Sequence, residues 1–183
     1  MQLREEVQNI IDGAISGRET KLTLPNILFP NAEEVNALAK TINNPNCKLF
    51  SVDFFAKQIG NKGAETIALA LQAPNCGLKS VKLSFNEIGD EGAKAIALAL
   101  KNPNCQIDFL ILSWNNISNK GAVAIADALK HPNCKIEHID LDNNKIGNEG
   151  AIAIAEALKH PNCKIKYISL QNNKIEANGV RAL

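Results

Sequence analysis

The chain has 183 residues, and its 20 basic and 19 acidic side chains nearly cancel, to a formal net charge of +1. This balance argues against a basic groove for nucleic acid and against a surface for anionic membranes. No apolar run approaches the roughly 18 residues that a membrane span needs. Charged residues also occupy the N-terminal segment, where a secretory signal needs an apolar core. We therefore expect a cytoplasmic protein with neither a nucleic-acid nor a membrane partner.

The N-terminal segment, residues 1–18, is predicted to form a helix. Apolar residues recur along it with the spacing of one helical face, at Leu3, Val7, Ile10, Ile11 and Ala14. The remaining positions of this segment are mostly polar. A helix with one apolar face at the start of a repeat array fits an N-terminal cap over the first repeat.

Five cysteines, spaced by 29 residues, reveal an internal repeat: Cys47, Cys76, Cys105, Cys134 and Cys163. An odd number of cysteines, each in the same local sequence, is a poor disulfide framework. It is typical of one small buried residue used repeatedly in a reducing compartment. A metal or redox ladder is the other interpretation, but the spacing contains no paired C-x-x-C ligands. We therefore expect free, buried thiols.

The cysteines divide residues 19–183 into repeats of about 29 residues. The first repeat is atypical, because its strand residues Leu22 and Leu24 lie one place early. The last repeat ends where the next helix should continue, which predicts either a fragment or an exposed apolar edge. The predicted repeats are 19–47, 48–76, 77–105, 106–134, 135–163 and the truncated 164–183.

Each repeat combines a strand period with a helix period. In the third repeat, one side of a short strand carries Val81 and Leu83, which are two residues apart. An amphipathic stripe follows just after Gly92, at Ala93, Ile96, Ala97 and Leu100. Neither half can bury its apolar side alone, so the repeats must stack into one continuous core. Small Ala and Gly residues at recurrent helix positions should let the helices approach closely.

An asparagine recurs in the turn after the strand, at Asn86, Asn115, Asn144 and Asn173. A side-chain amide can satisfy backbone groups that a tight turn leaves unpaired. This structural role is favoured over a row of ligand-binding amides. Because Ile27 and Lys57 occupy this position in the first two repeats, we expect a looser ladder there.

The pattern C-x-L-x-x-L-x-L-x-x-N-x-I-G-x-x-G-A-x-x-I-A-x-A-L, as in 134–158, resembles the ribonuclease-inhibitor-like class of leucine-rich repeats. The resemblance covers residues 19–183 and implies an α/β solenoid, a horseshoe with a parallel sheet on its concave face and helices on its convex face. Members of the class bind proteins through the concave sheet and adjoining loops. The uniform repeat length and the short arc argue against ribonuclease inhibition itself.

The concave face should carry the residues that alternate with the core leucines. Three of its aromatic residues, Phe55, Phe85 and Trp114, should form a contiguous strip of the kind that anchors protein interfaces. The alternative is that these rings pack on one another or on loops. His138, Asp140 and Asp142 should form an acidic patch suited to a basic partner. The candidate protein-binding residues are Phe55, Phe85, Phe109, Ile111, Trp114, His138, Asp140, Asp142 and Tyr167.

No catalytic, cofactor or metal site is expected. Neighbours on one strand face, such as His138 and Asp140, are about 6.8 Å apart, too far to share a metal without help from adjacent strands. No phosphate loop and no Ser–His–Asp arrangement is present in the sequence. We therefore expect no small-molecule substrate.

Two functions follow from the sequence. The first is a protein-binding module that acts as an inhibitor, sensor or adaptor. The resemblance includes effectors that intracellular bacteria deliver into host cells, by a route that needs no signal peptide. The second is a structural solenoid or oligomerisation segment of a larger multidomain protein. The sequence leaves the identity of the binding partner open.

Overall fold

A computed structural model describes residues 5–23 and 32–183 of the chain. Strands and helices alternate in the described residues. The strands are β1 (Lys21–Thr23), β2 (Ser51–Asp53), β3 (Ser80–Lys82), β4 (Phe109–Ile111), β5 (His138–Asp140) and β6 (Tyr167–Ser169). The helices are α1 (Glu5–Ser16), α2 (Ala32–Ile42), α3 (Gly60–Leu71), α4 (Asp90–Leu100), α5 (Asn119–Leu129), α6 (Asn148–Leu158) and α7 (Ala177–Val180).

The six strands form one parallel sheet in chain order, from β1 to β6. Val52 pairs with Val81, and Val81 pairs with Leu110, so each step of the register is one repeat. Leu22 pairs with Val52, which places the first strand one residue early, as the sequence predicts. The α/β solenoid prediction is confirmed.

The core lies between the sheet and the layer of helices. The central residue of each strand from β1 to β5 is buried, and the isoleucine at the middle of each helix from α3 to α6 packs in the same core. Consecutive helices pack side by side. The other face of the sheet carries the alternate strand residues, and none of the helices in the described part of the chain covers it; it is the concave face of the solenoid.

Glycines in the first turn of the helices let neighbouring helices approach closely, as predicted. A Cβ atom added at Gly121 would lie 2.7 Å from Ile117 Cγ2, 2.8 Å from Asp90 Oδ1 and 3.1 Å from Ala93 Cβ. Gly92 and Gly150 have equally short contacts with the preceding repeat. Because interiors are close-packed, no larger residue fits without displacing a neighbour.

The helices begin earlier than the apolar stripe indicates. The sequence places the stripe after Gly92, but α4 begins at Asp90. The reason lies in the preceding repeat, where Asn61 Oδ1 accepts the N–H groups of Gly89 (2.8 Å) and Gly92 (3.1 Å). This contact satisfies donors that a helix N-terminus leaves unpaired. The same contact recurs from Asp90 to α5, from Asn119 to α6 and from Asn148 to α7.

The turn asparagines form the predicted structural ladder. Asn115 Oδ1 accepts the N–H groups of Asn86 (3.1 Å) and Ile88 (2.9 Å), and its amide nitrogen donates to Leu83 O (2.9 Å) in the preceding repeat. Each asparagine therefore holds the turn of the repeat before its own.

That direction corrects one expectation. The turn of the second repeat is not loose, because Asn86 Oδ1 accepts the N–H of Lys57 at 2.9 Å. The expectation was wrong because each amide bonds to the repeat before its own. Lys57 in place of an asparagine therefore affects the turn of the first repeat, not that of the second. That turn, with Ile27, lies outside the described residues.

Helix α1 buries Val7, Ile11 and Ala14, three residues of its predicted apolar stripe, while Leu3 lies outside the described residues. It packs against α2 and β1 at the start of the array. Within 5–23 and 32–183, no helix is long and apolar enough to cross a membrane.

All five cysteines are free thiols, as expected. Cys76, Cys105 and Cys134 are buried, whereas Cys47 and Cys163 are partly exposed. Burial raises the pKa of the Cys105 thiol to about 11, and it also raises the pKa values of Cys76 and Cys134. These buried thiols are therefore protonated at neutral pH and poorly nucleophilic.

Candidate functional site

The residue three places after each strand from β2 to β6 has left-handed backbone. Five equivalent positions share a φ between 53° and 58°, at Ala56, Phe85, Trp114, Asn143 and Asn172. Asparagine tolerates this conformation, whereas a bulky side chain in it is strained. The backbone therefore does not explain the two aromatic residues, and another interaction must favour them.

Phe55, Phe85 and Trp114 lie together as predicted, and we call them the aromatic strip. The rings of Phe85 and Trp114 stack with centroids 4.6 Å apart and planes 13° apart. Phe55 meets Phe85 edge-on at 5.3 Å. The three residues remain 55%, 41% and 51% exposed in chain order. The rings thus pack on one another, as the alternative interpretation holds, and still present a broad apolar surface to solvent.

A second aromatic stack, which was not predicted as a unit, lies on β4, β5 and β6. His138 stacks between Phe109 and Tyr167, with both centroid distances at 4.3 Å. The imidazole therefore belongs with these rings rather than with the two aspartates. Ile111 lies two residues after Phe109 on β4 and three residues before Trp114, between the stack and the aromatic strip.

The two aspartates of the predicted acidic patch accept hydrogen bonds from backbone N–H groups just after strands β5 and β6. Asp140 Oδ1 accepts the N–H of Asp142 at 2.9 Å. Asp142 Oδ1 accepts the N–H of Gln171 at 2.6 Å and the hydroxyl of Ser169. The Asp142 carboxylate is thus largely occupied in organising the turn of the next repeat.

A surface cavity of about 510 Å³ lies beside the aromatic strip. Several of its lining residues were not predicted from the strand pattern, because their positions depend on left-handed backbone at Gln58 (φ 48°) and Glu87 (φ 57°). The repeat register carries the signal, since Gln58, Glu87 and Asn116 are equivalent positions. The cavity is lined by Ala56, Gln58, Phe85, Glu87, Trp114, Asn115, Asn116 and Asn143.

Within 5–23 and 32–183, no group of three or more His, Cys, Asp or Glu side chains is placed to hold a metal ion. His131 and His160 lie in the loops after the helices. There, their Nδ1 atoms accept the N–H groups of Asn133 (3.3 Å) and Asn162 (3.2 Å). These two histidines therefore shape loops.

The comparisons with known proteins agree with this geometry. A family model described as a leucine rich repeat matches residues 75–97, 104–126, 133–155 and 162–183. The chain is a leucine-rich-repeat protein. No curated protein sequence matches it significantly.

Among solved structures, this leucine-rich-repeat protein is similar to "Leiomodin-1 Actin-Binding Site 2 (ABS2)", with a TM-score of 0.68 and 25% sequence identity. The match covers 83% of this chain and 84% of the leiomodin-1 chain. Neither comparison distinguishes the ribonuclease-inhibitor-like class, which stays a prediction.

The convex face of the leucine-rich repeats also exposes apolar residues. Leu69 on α3 and Leu98 on α4 are 69% and 63% exposed and occupy equivalent positions in neighbouring repeats. Their backbone is helical, and they take part in no aromatic stack. They therefore provide a matched comparison for the aromatic strip.

Proposed function

We propose that this leucine-rich-repeat protein binds a protein partner through its concave face, with the aromatic strip as the anchor. The observation that carries the proposal is the stacked pair of Phe85 and Trp114. Both residues are about half exposed, and both hold a strained left-handed backbone. Strain of this kind persists where the surrounding structure enforces it and is concentrated at functional sites. Large aromatic residues also dominate the binding energy of protein interfaces.

The second aromatic stack extends the proposed surface. Tyr167 is 50% exposed, and Phe109, Ile111 and His138 are partly exposed on neighbouring strands. Ile111 ends β4, between Phe109 of this stack and Trp114 of the aromatic strip, so the proposed surface includes residues of β4 to β6 and of the turns after β2 to β4.

The leiomodin-1 fragment supports a protein ligand, because that fragment is an actin-binding site. In this proposal the chain acts as an inhibitor, sensor or adaptor, and an effector delivered into a host cell belongs to the same group. All of these roles require the same thing of the structure, which is a specific contact on the concave face.

The test is affinity capture from cell lysate, with purified actin as a defined second probe. The strip variant carries Phe85→Asn and Trp114→Asn. Asparagine is the residue at the equivalent positions of two later repeats, Asn143 and Asn172. The control variant carries Leu69→Asn and Leu98→Asn on the convex face. We expect the strip variant to lose capture of the partner and the control variant to retain it. A partner retained by the strip variant would contradict the proposal.

The second candidate is a structural or oligomerisation segment, and the exposed apolar residues of the concave face are compatible with it. Analytical ultracentrifugation over a range of concentrations separates the two. Self-association that the strip variant abolishes, without capture of any other protein, would favour this second candidate.

A further inference from the structure

The cavity beside the aromatic strip combines apolar rings with a single charge. Phe85 and Trp114 form one part of its wall, and Glu87 contributes a carboxylate. Its lining includes no lysine and no arginine, and among the described residues Glu87 forms no ion pair. The cavity therefore presents one uncompensated negative charge next to two exposed aromatic rings.

Amide side chains complete the lining. Gln58, Asn116 and Asn143 border the cavity, and carboxamide oxygens accept hydrogen bonds from N–H donors. The Asp142 carboxylate, two residues after β5, is engaged with Ser169 and Gln171. No described residue engages the Glu87 carboxylate in the same way. Glu87 is therefore the carboxylate that an incoming cation would meet.

The backbone of Glu87 gives independent support. Its φ of 57° is left-handed, in a position where the next repeat has Asn116 without a positive φ. A glutamate in this conformation is strained, and strain of this kind is concentrated at binding sites. Six of the eight lining residues have a positive φ, and Phe85, Glu87 and Trp114 are among them.

We propose that this cavity receives an arginine side chain of the protein partner. This inference rests on the proposed concave-face function and names its anchor. The aliphatic stem of arginine lies against the rings, and its guanidinium group, attracted by the aromatic faces, meets Glu87. The planar group offers five N–H donors, which suit one carboxylate and the three amides outside the asparagine ladder better than the compact ammonium of lysine does.

Trp114 makes the proposal directly measurable, because it is the only tryptophan in the chain. Indole fluorescence is followed while three capped tripeptides are added, with arginine, lysine or citrulline between two glycines. Citrulline keeps the shape of arginine and lacks the charge. The arginine peptide should bind about fivefold more tightly than the citrulline peptide, the scale of an exposed cation–π contact with an ion pair.

The matched variants are Glu87→Gln and Glu149→Gln. Gln58 already holds a similar backbone conformation in the preceding repeat, so the first variant keeps the turn. Glu87→Gln should abolish the preference for arginine over citrulline. Glu149→Gln, in the first turn of α6, should leave it unchanged.

Three results would overturn the arginine anchor. They are equal binding of the arginine and citrulline peptides, a preference that persists in Glu87→Gln, and saturable binding of a neutral trisaccharide in place of the arginine peptide. Its failure is separable from failure of the concave-face function. If Glu87→Gln retains the captured partner at wild-type strength while the strip variant loses it, only the arginine anchor fails.

Discussion

Asp90 and Ser118 join the helices of two successive repeats. The carboxylate of Asp90 accepts the N–H of Ser118 at 2.8 Å and its hydroxyl at 2.7 Å, and it also accepts the N–H of Gly121. Burial by itself raises the pKa of the Asp90 carboxyl. The hydrogen bonds from Ser118 and Gly121 and the charge of Lys94 outweigh burial, and the pKa lies below its usual range.

This contact predicts an acid-sensitive step in stability. Because the folded-state pKa of Asp90 is lowered, its ionised form stabilises the fold above the unfolded pKa of about 4. That contribution is lost as the pH falls through the folded pKa. Asp90→Asn should remove this part of the pH dependence and keep the cap, since Asn61, Asn119 and Asn148 serve in the other repeats. Asp90→Ala should cost about 1 kcal/mol at neutral pH. Urea unfolding at pH 7 and pH 3 measures both, with Glu149→Gln as the control.

The turn ladder predicts an unequal response of two adjacent asparagines. The buried amide of Asn115 makes hydrogen bonds to Asn86, Ile88 and Leu83 in the preceding repeat. Asn115→Ala leaves these backbone groups unpaired and should lower the free energy of unfolding by about 3 kcal/mol. Exposed Asn116, whose side chain makes no hydrogen bond among the described residues, should change it by less than about 0.5 kcal/mol when replaced by alanine. Equal effects in chemical denaturation would contradict the ladder.

The close packing of the helices predicts that Gly121→Ala is destabilising. Alanine is the better helix former, by about 1 kcal/mol. At this position, however, its methyl group would contact Asp90, Ala93 and Ile117 at distances below van der Waals separation. Overpacking costs about 1–3 kcal/mol, so the thermal midpoint should fall despite the gain in propensity. Gly77→Ala is the control, because the nearest atom there is at 3.6 Å.

The strained aromatic residues predict a separation of stability from binding. Trp114→Asn gives up ring stacking worth about 0.5–1.5 kcal/mol and relieves backbone strain of about 1–3 kcal/mol. The variant should therefore be as stable as the wild type, or slightly more stable, while it loses the partner. Differential scanning calorimetry and the capture experiment measure the two properties. A loss of several kcal/mol of stability would show that the ring serves the fold instead.

The cysteine ladder predicts two classes of thiol. In the native protein at pH 7.5, iodoacetamide should label the partly exposed Cys47 and Cys163 first. The buried Cys76, Cys105 and Cys134 should react only on unfolding, because burial limits access and raises their pKa values. Mass spectrometry of peptides over time gives the order. Rapid labelling of Cys105 in the folded state would contradict its burial.

Much of the fold follows from the periodicity of the sequence. The alternation at Val81 and Leu83 and the helical stripe through Ile96 assign a strand and a helix to each repeat, and stacking then follows because neither half buries its apolar side alone. The register of β1 was also predictable, since Leu22 lies one place early. These features depend on which face of an element is apolar, and the order of residues encodes that.

The helix starts and the direction of the turn ladder were not predictable from one repeat. Asn61 caps a helix that begins 29 residues later, and Asn86 holds a turn 29 residues earlier. Both contacts pass between repeats, so each repeat read alone shows a polar residue without its partner.

The candidate site also has some features that the sequence predicts and others that depend on contacts between repeats. Alternation along the strands accounts for the concave placement of Phe55 and of the strand residues. Phe85 and Trp114 lie one residue out of that alternation, and their left-handed backbone places their rings beside Phe55. Three other features depend on how the repeats stack: His138 joins an aromatic stack, Asp142 is occupied by the next repeat, and Glu87 borders a cavity. Sequence order sets the direction of a side chain along its own strand. Its neighbours are set by the stacking of strands from different repeats and by the left-handed turns at their ends.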